Sequence, residues 1–142
     1  TTTVMRNLSI LLFLVFSNLS AFAQDTLVLP YKPIIKDANY AGGNTEDLYY
    51  YVNNNFNYNN VKKEDIPKTA KKKPYFVFYV VFAVSEDGKA FEFSPKEISV
   101  ENSFYKEAVR VIASTRWNVA TKDNEYKKQF LVIPIKANIG DF

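Results

Sequence analysis

The sequence has 142 residues, a formal net charge of +3 at pH 7 and 16% aromatic residues, and it contains neither histidine nor cysteine. The chain therefore lacks the common zinc ligands and the side chains of Ser-His-Asp or Cys-His catalysis. Its charge is too balanced for a nucleic-acid-binding protein, and its acidic residues fall mostly in predicted turns and first helical turns. The composition predicts one small non-enzymatic domain with an aromatic core and with no disulfide, metal, cofactor or small-molecule substrate.

The first 23 residues have the features of an export signal. Met5 reads as the true start, with residues 1–4 upstream, and Arg6 precedes the apolar run 8–16. Ala21-Phe22-Ala23 is a small-x-small cleavage site. A run this short is not expected to span a bilayer. We therefore predict a cleaved signal peptide over 1–23 and a periplasmic or secreted bacterial protein, with an uncleaved membrane anchor as the alternative.

The next residues predict an extended segment followed by a helix. Residues 24–39 contain two prolines and no periodicity, which is typical of an extended lead-in, and Leu27 to Leu29 can pack on the domain. Asn44 is positioned to cap a helix that follows Gly42-Gly43. The apolar face of that helix has helical spacing: Leu48, Tyr51, Val52, Phe56. The Asn-rich run 53–60 is expected to fray its end.

The connector 61–74 is polar and carries six lysines. One interpretation is a patch that binds an anionic polymer or a lipid headgroup. The favoured interpretation is a solvated loop, since Glu64 and Asp65 dilute the charge and the run shows no helical amphipathicity.

Residues 75–84 form the strongest predicted strand. Its alternate bulky residues are expected to face the helices: Phe76, Phe78, Val80, Phe82, Val84. Asp87-Gly88 then predicts a two-residue hairpin tip with positive φ. Residues 89–94 return with Phe91 and Phe93 on one face, and Pro95 is expected to stop the strand.

The C-terminal third predicts a helix, a turn and a last strand. Ser103 is a candidate cap, and the core stripe of the helix has helical spacing: Phe104, Ala108, Val111, Ile112, Thr115. Trp117 should cover the core just beyond the helix, and residues 123–125 should form a turn. The last strand is predicted over 127–137, at a sheet edge because Pro134 cannot donate to a ladder. The resulting class is α+β, a two-layer sandwich of a three-stranded antiparallel sheet with two helices on one face, in the order α-β-β-α-β.

Several motifs in this order resemble the C-terminal domain of TonB, the bacterial energy transducer. The matching segments span 40–139: Tyr40 to Gly43, Phe82-x-Val84-x-x-Asp87-Gly88, Glu107-Ala108-x-Arg110-Val111-Ile112, Trp117 to Ala120, and Val132 to Ile135. Departures at Asn59, Asn118 and Lys73-Pro74 fall in loops.

The resemblance implies a protein-binding module rather than an enzyme. The edge of the last strand would accept an extended segment of an envelope protein, such as an outer-membrane TonB-dependent transporter, by strand addition. The implied contact residues are Lys128, Gln129, Phe130, Leu131, Val132 and Ile133. Self-pairing of this edge is the alternative.

Two other functions remain open at this point. Aromatic residues of the first helix among many Asn side chains (Tyr49, Tyr50, Tyr51, Phe56, Tyr58) are compatible with an envelope or surface glycan-binding protein. A membrane-anchored accessory energy transducer would follow if the signal were not cleaved.

Overall fold

The computed structural model of the chain describes residues 30–140 and 142, and Pro33–Phe142 forms one compact unit. The signal peptide expected over 1–23 and the Leu27 to Leu29 run lie outside the described residues. The helices are α1 (Thr45–Asn55) and α2 (Ser103–Ala113). The strands are β1 (Ile35–Lys36), β2 (Asn39–Tyr40), β3 (Tyr75–Val84), β4 (Ala90–Lys96), β5 (Trp117–Asn118), β6 (Thr121–Lys122), β7 (Glu125–Tyr126) and β8 (Gln129–Asn138).

The main sheet is antiparallel and has the strand order β4-β3-β8. β3 is central and pairs with β8 along its whole length, from Tyr75 opposite Asn138 to Val84 opposite Gln129. The predicted class, an α+β fold with two helices and antiparallel strands, is confirmed. β8 is an edge strand within the described residues, as Pro134 indicated.

The core lies between this sheet and the helices. All five alternate side chains of β3 that were expected to face the helices are buried, and so is the whole stripe of α2 from Phe104 to Thr115. Phe104 packs edge-on against Phe76, with ring centroids 5.0 Å apart, and also stacks near Phe56 at the end of α1. The residues that alternate along β3 and those with helical spacing on α2 therefore form one core.

Each helix has an asparagine as its N-cap residue. Asn44 and Asp47 form a reciprocal capping box at α1. The cap of α2 is Asn102, whose side-chain oxygen accepts from the Phe104 N–H at 2.9 Å, so the expected cap at Ser103 is wrong. Ser103 lies inside the helix, and its hydroxyl instead accepts from the Lys62 N–H.

The β3–β4 turn is longer than the predicted two-residue loop. The Gly88 N–H donates to the Ser85 carbonyl at 3.0 Å, and the Ser85 N–H donates to the Lys89 carbonyl at 2.8 Å. Only Gly88, at φ 77°, has a positive φ in this turn. The loop is thus three residues closed by a glycine bulge, because a type I turn needs the left-handed residue only at its end.

A β-bulge in β4 overturns the expectation that Phe91 and Phe93 share a face. Ala83 pairs with Phe91, whereas Val81 pairs with Ser94, so β4 has one extra residue there. Glu92 adopts φ 51° at the bulge. Phe93 consequently packs on Phe82 in the core, and Phe91 lies on the other face. β4 also continues through Pro95 to Lys96, which an edge strand permits.

The connector 61–74 is more ordered than a solvated loop. It contains the 3-10 turns Lys63–Asp65 and Lys68–Ala70, and it buries Val61, Ile66 and Ala70. The Asp65 carboxylate accepts from the Ser103 N–H at 2.9 Å, and hydrogen bonds from Ser103 hold the pKa of Asp65 below its usual range. The lysine side chains of the connector remain exposed.

Glu107 and Arg110 join α2 to the end of α1 and to the residues that follow it. The buried Glu107 carboxylate accepts from the Asn57 N–H, from the Asn60 side chain and from Arg110. Arg110 also donates to the Asn55 carbonyl at the end of α1. Burial raises the pKa of Glu107, but the hydrogen bonds from Arg110, Asn60 and Asn57 outweigh it and lower that pKa below its usual value.

Trp117 covers the core, as the sequence predicted. Its indole N–H donates to the Thr115 hydroxyl at 2.8 Å, and its ring lies 5.2 Å from that of Phe82. β5 pairs with β2, which places the Tyr40 ring edge-on against the indole. Residues 35–40 therefore extend the fold beyond the main sheet. The expected turn at 123–125 is confirmed as the hairpin between β6 and β7, with Asp123 and Asn124 at positive φ.

Gly88→Val tests the close approach between the turn and Trp117. A Cβ at Gly88 would lie 2.5 Å from the Trp117 carbonyl oxygen, at a φ that disfavours β-branched residues. We expect the free energy of unfolding to fall by more than about 1 kcal/mol, measured by urea denaturation. Glu86→Val, at an exposed residue of the same loop, is the control and should change little. An unchanged midpoint for Gly88→Val would contradict this geometry.

Trp117→Ala should lower the free energy of unfolding by about 3–5 kcal/mol, since it removes a large buried aromatic side chain. Thr115→Val removes the hydroxyl that accepts from the indole N–H and donates to the Ile112 carbonyl, and it should cost about 1–3 kcal/mol. Chemical denaturation followed by circular dichroism measures both. A loss well below 1 kcal/mol for Trp117→Ala would show that the indole is not part of the core.

Glu107→Gln should flatten the acid dependence of stability. Because the folded-state pKa of Glu107 is lowered, its carboxylate stabilises the fold above the ordinary carboxyl pKa near 4.5, and this contribution is lost as pH falls through the folded value. The difference in urea midpoint between wild type and Glu107→Gln should therefore be largest at pH 7 and shrink between pH 5 and pH 3. A constant difference would show that the carboxylate charge does not matter.

Candidate partner-binding edge

The free edge of β8 has a fixed pattern of main-chain donors. The Ile139 N–H donates to the Pro74 carbonyl at 2.8 Å, one step beyond the paired Tyr75 and Asn138. In an antiparallel ladder, hydrogen-bonded and non-hydrogen-bonded pairs alternate. Leu131 and Ile133 therefore direct their N–H groups toward β3, whereas Phe130 and Val132 direct theirs away from the sheet.

The outward groups provide a short strip of unpaired main chain. Phe130, Val132 and Lys136 present an N–H and a carbonyl to the outside, and Pro134 presents a carbonyl alone. None of the hydrogen bonds among residues 30–140 reaches the outward N–H groups of Phe130 and Val132. Because Pro134 falls at an outward position, it removes no bond from the ladder with β3.

Tyr58 closes one end of the strip. Its hydroxyl accepts from the Asn138 N–H at 2.8 Å, which satisfies the outward donor at the end of β8. At the other end, the Gln129 side chain accepts from the Ala38 N–H at 2.7 Å and donates to Asp37. The open length of edge is therefore Phe130 to Lys136, enough for an added strand of about seven residues.

The six residues predicted to contact a partner lie in different environments. Lys128 precedes β8, and its ammonium contacts both carboxylate oxygens of Glu92. Phe130 and Val132 are more than half exposed, whereas Leu131 is half-buried and Ile133 is buried on the core side. The structure thus brings all six to one edge, but only Phe130 and Val132 combine outward main chain with accessible side chains.

Two clefts separate this edge from α1 on the helix side of the sheet. One has a volume of about 340 Å³ and is lined by Tyr40, Leu48, Tyr49 and Leu131 among others. The other has a volume of about 390 Å³ and is mostly apolar, with Tyr49 and Val52 facing Pro134 and Ile135. A strand added to β8 would direct alternate side chains toward these clefts.

Sequence reasoning missed Tyr58 and Tyr49 at this edge, and it predicted Gln129 as a partner contact rather than as the residue that ends the open edge. Tyr58 lies 80 residues from its partner Asn138, and no local pattern links them. Tyr49 follows the predicted buried Leu48 in the helical period, which signals a position beside the apolar face. Gln129 follows Lys127-Lys128 at the polar start of the predicted strand, and this pattern does not signal its bonds to Ala38 and Asp37.

Residues 30–140 contain no cluster of three or more His, Cys, Asp or Glu side chains arranged to hold a metal ion. No helix in the same residues is long and apolar enough to cross a membrane.

Comparison of the chain with protein-family models, with curated proteins and with solved structures finds no significant match.

Proposed function

We propose that this protein is a non-enzymatic protein-binding module of the bacterial cell envelope, with a fold like the C-terminal domain of TonB. The observation that carries the proposal is the free edge of β8, where Phe130 and Val132 direct unpaired main-chain groups outward. An exposed edge of this kind favours pairing with another extended chain.

The partner in this proposal is an extended segment of an envelope protein, such as an outer-membrane TonB-dependent transporter. The segment adds to β8 as a fourth strand and takes most of its affinity from main-chain hydrogen bonds. Side chains that enter the two clefts beside α1 supply selectivity. Tyr58 at Asn138 limits how far the segment extends along the edge.

The main sheet and helix order support the fold assignment. Residues of the motifs that resemble the TonB domain have structural roles in this fold: Asp87-Gly88 closes the β3–β4 hairpin, and Glu107 and Arg110 form the ion pair that joins the helices. Trp117 covers the core, and Pro134 lies at the free edge.

Glycan binding by the aromatic residues of α1 is less well supported. Phe56 is buried, the Tyr51 hydroxyl bonds the Ser114 hydroxyl, and the Tyr58 hydroxyl bonds the Asn138 N–H. Tyr50 is the strongly exposed member of the group, at 72%. One accessible ring does not form the platform of several rings that stacking on a sugar chain requires.

Val132→Pro should abolish partner capture while leaving the fold intact. The Val132 N–H points outward, so proline there removes a donor from the free edge and none from the ladder with β3. Pull-down from envelope extract, read by mass spectrometry for outer-membrane transporters, measures capture. We expect loss of the captured protein with native circular dichroism and with a denaturation midpoint close to that of wild type.

Two matched variants make this test decisive. Val132→Thr keeps the main-chain donor and should capture the partner as wild type does. Leu131→Pro removes a donor from the ladder with β3 and should destabilise the fold by about 3 kcal/mol. A folded Val132→Pro protein that captures the same partner undiminished would show that the edge is not the binding site.

A further inference from the structure

The outer face of the main sheet carries apolar side chains that remain exposed in the described structure. This face lies opposite the helices and includes alternate residues of β3 and β8. The exposed fraction of the side chain is 43% for Tyr75, 45% for Val77, 54% for Phe130 and 52% for Val132. Val77 lies opposite Lys136 and Val132 lies opposite Val81, and the half-buried Tyr79, Val81 and Pro134 connect these positions on the same face of the sheet. A cluster of this kind on a small domain marks an interaction surface.

Lysines surround this apolar group and rest on its aromatic rings. The Lys136 ammonium lies 4.2 Å from the centroid of Tyr75, and the Lys96 ammonium lies 5.4 Å from that of Tyr79. Lys128 lies 5.2 Å from the centroid of Phe130 and equally near Phe91.

The face carries more positive than negative charge. Lys73 and Glu97 lie at the end of the face, in a cleft that Tyr75 and Val77 share with the buried Phe76 and Phe78. Glu92 contacts Lys128. Lys73, Lys96 and Lys136 form no ion pair with any described residue.

We propose that this face binds the surface of an anionic lipid bilayer. Its aromatic and aliphatic side chains would enter the interfacial region, where tyrosine and phenylalanine are favoured, and the lysines would contact headgroup phosphates. Each lysine near an anionic surface adds attraction that salt screens. The apolar centre of the face fits the interfacial region of the bilayer, and the surrounding lysines fit its anionic headgroups.

Charge disfavours a second copy of this chain as the occupant. Two such faces packed on each other would bring Lys73, Lys96 and Lys136 of one copy toward the same lysines of the other. Among residues 30–140, Glu92 and Glu97 are the compensating carboxylates at this face, and Glu92 already contacts Lys128. An anionic surface meets no such repulsion.

The absence of cysteine from the sequence permits a direct test with one labelled site. Val77→Cys carries a polarity-sensitive fluorophore on the proposed face, and Tyr50→Cys carries it on α1. Each full chain is titrated with vesicles of phosphatidylcholine alone or mixed equally with phosphatidylglycerol. We expect a blue shift at position 77 with the anionic vesicles only, and none at position 50. Comparison of the two sites identifies the face that meets the bilayer, whether or not residues 1–23 are retained.

The charge requirement is tested by paired substitutions. Lys96→Gln with Lys136→Gln should weaken the vesicle response at position 77 by about 30-fold at low salt. Lys62→Gln with Lys106→Gln makes the same change in net charge beside α2 and should leave the response unchanged.

The proposal is overturned by equal shifts at positions 50 and 77, by equal losses in the two lysine pairs, or by no response to anionic vesicles. If the labelled face responds to polyglutamate but not to vesicles, the partner is an acidic protein and the lipid assignment is wrong. These outcomes are independent of the β8 edge, because the readout follows side chains of the sheet face and no captured protein.

Discussion

The close approach of Trp117 to Gly88 is the contact that connects the separate parts of this fold. The main-chain N–H of Trp117 donates to the Gly88 carbonyl at 2.9 Å. The Trp117 carbonyl oxygen would lie only 2.5 Å from a Cβ at Gly88. The hairpin turn is thereby joined to the chain that leaves α2. Since Trp117 also pairs with Tyr40, the same contact positions the segment that leads into α1. The junction therefore holds together the β3–β4 turn, the chain that leaves α2 and the segment that leads into α1.

Local patterns predicted most of the secondary structure because each was reinforced by burial. The bounds of β3 agree with its alternating apolar run, and the stripe of α2 is buried throughout. The failures occurred where backbone detail decided the outcome. Phe93 faces the core because of the bulge at Glu92, and the side-chain pattern of a strand does not predict where one extra residue is inserted. The paired segments at 35–40 depend on contacts with residues about 80 positions away, which lie beyond any local period.

The candidate site was predictable as a strand but not as a set of atoms. Pro134 identified an edge from the sequence, because proline is excluded from a central ladder. Which of Leu131 and Val132 directs its N–H outward depends on register, and register follows from the pairing of β3 with β8. The limits of the open edge come from Tyr58 and Gln129, whose partners Asn138 and Ala38 are distant in the chain. The folded structure therefore identifies the outward main-chain donors of this edge, at Phe130, Val132 and Lys136, which the sequence alone could not assign.

The two proposed surfaces use different atoms of the same residues. Phe130 and Val132 offer main-chain groups at the edge and side chains on the outer face, so a strand added at the edge would also widen that face. Residues of the added strand directly opposite Phe130 and Val132 would direct their side chains to the same side. On an anionic bilayer these positions would meet lipid phosphates, which repel carboxylates and favour apolar or basic side chains. The other side chains of the added strand point toward the clefts beside α1, away from the bilayer, and the lipid phosphates do not restrict their charge. If the protein binds the partner segment and the bilayer at the same time, acidic residues of the segment must lie on the helix side of the sheet. The membrane would then restrict which segments the edge accepts.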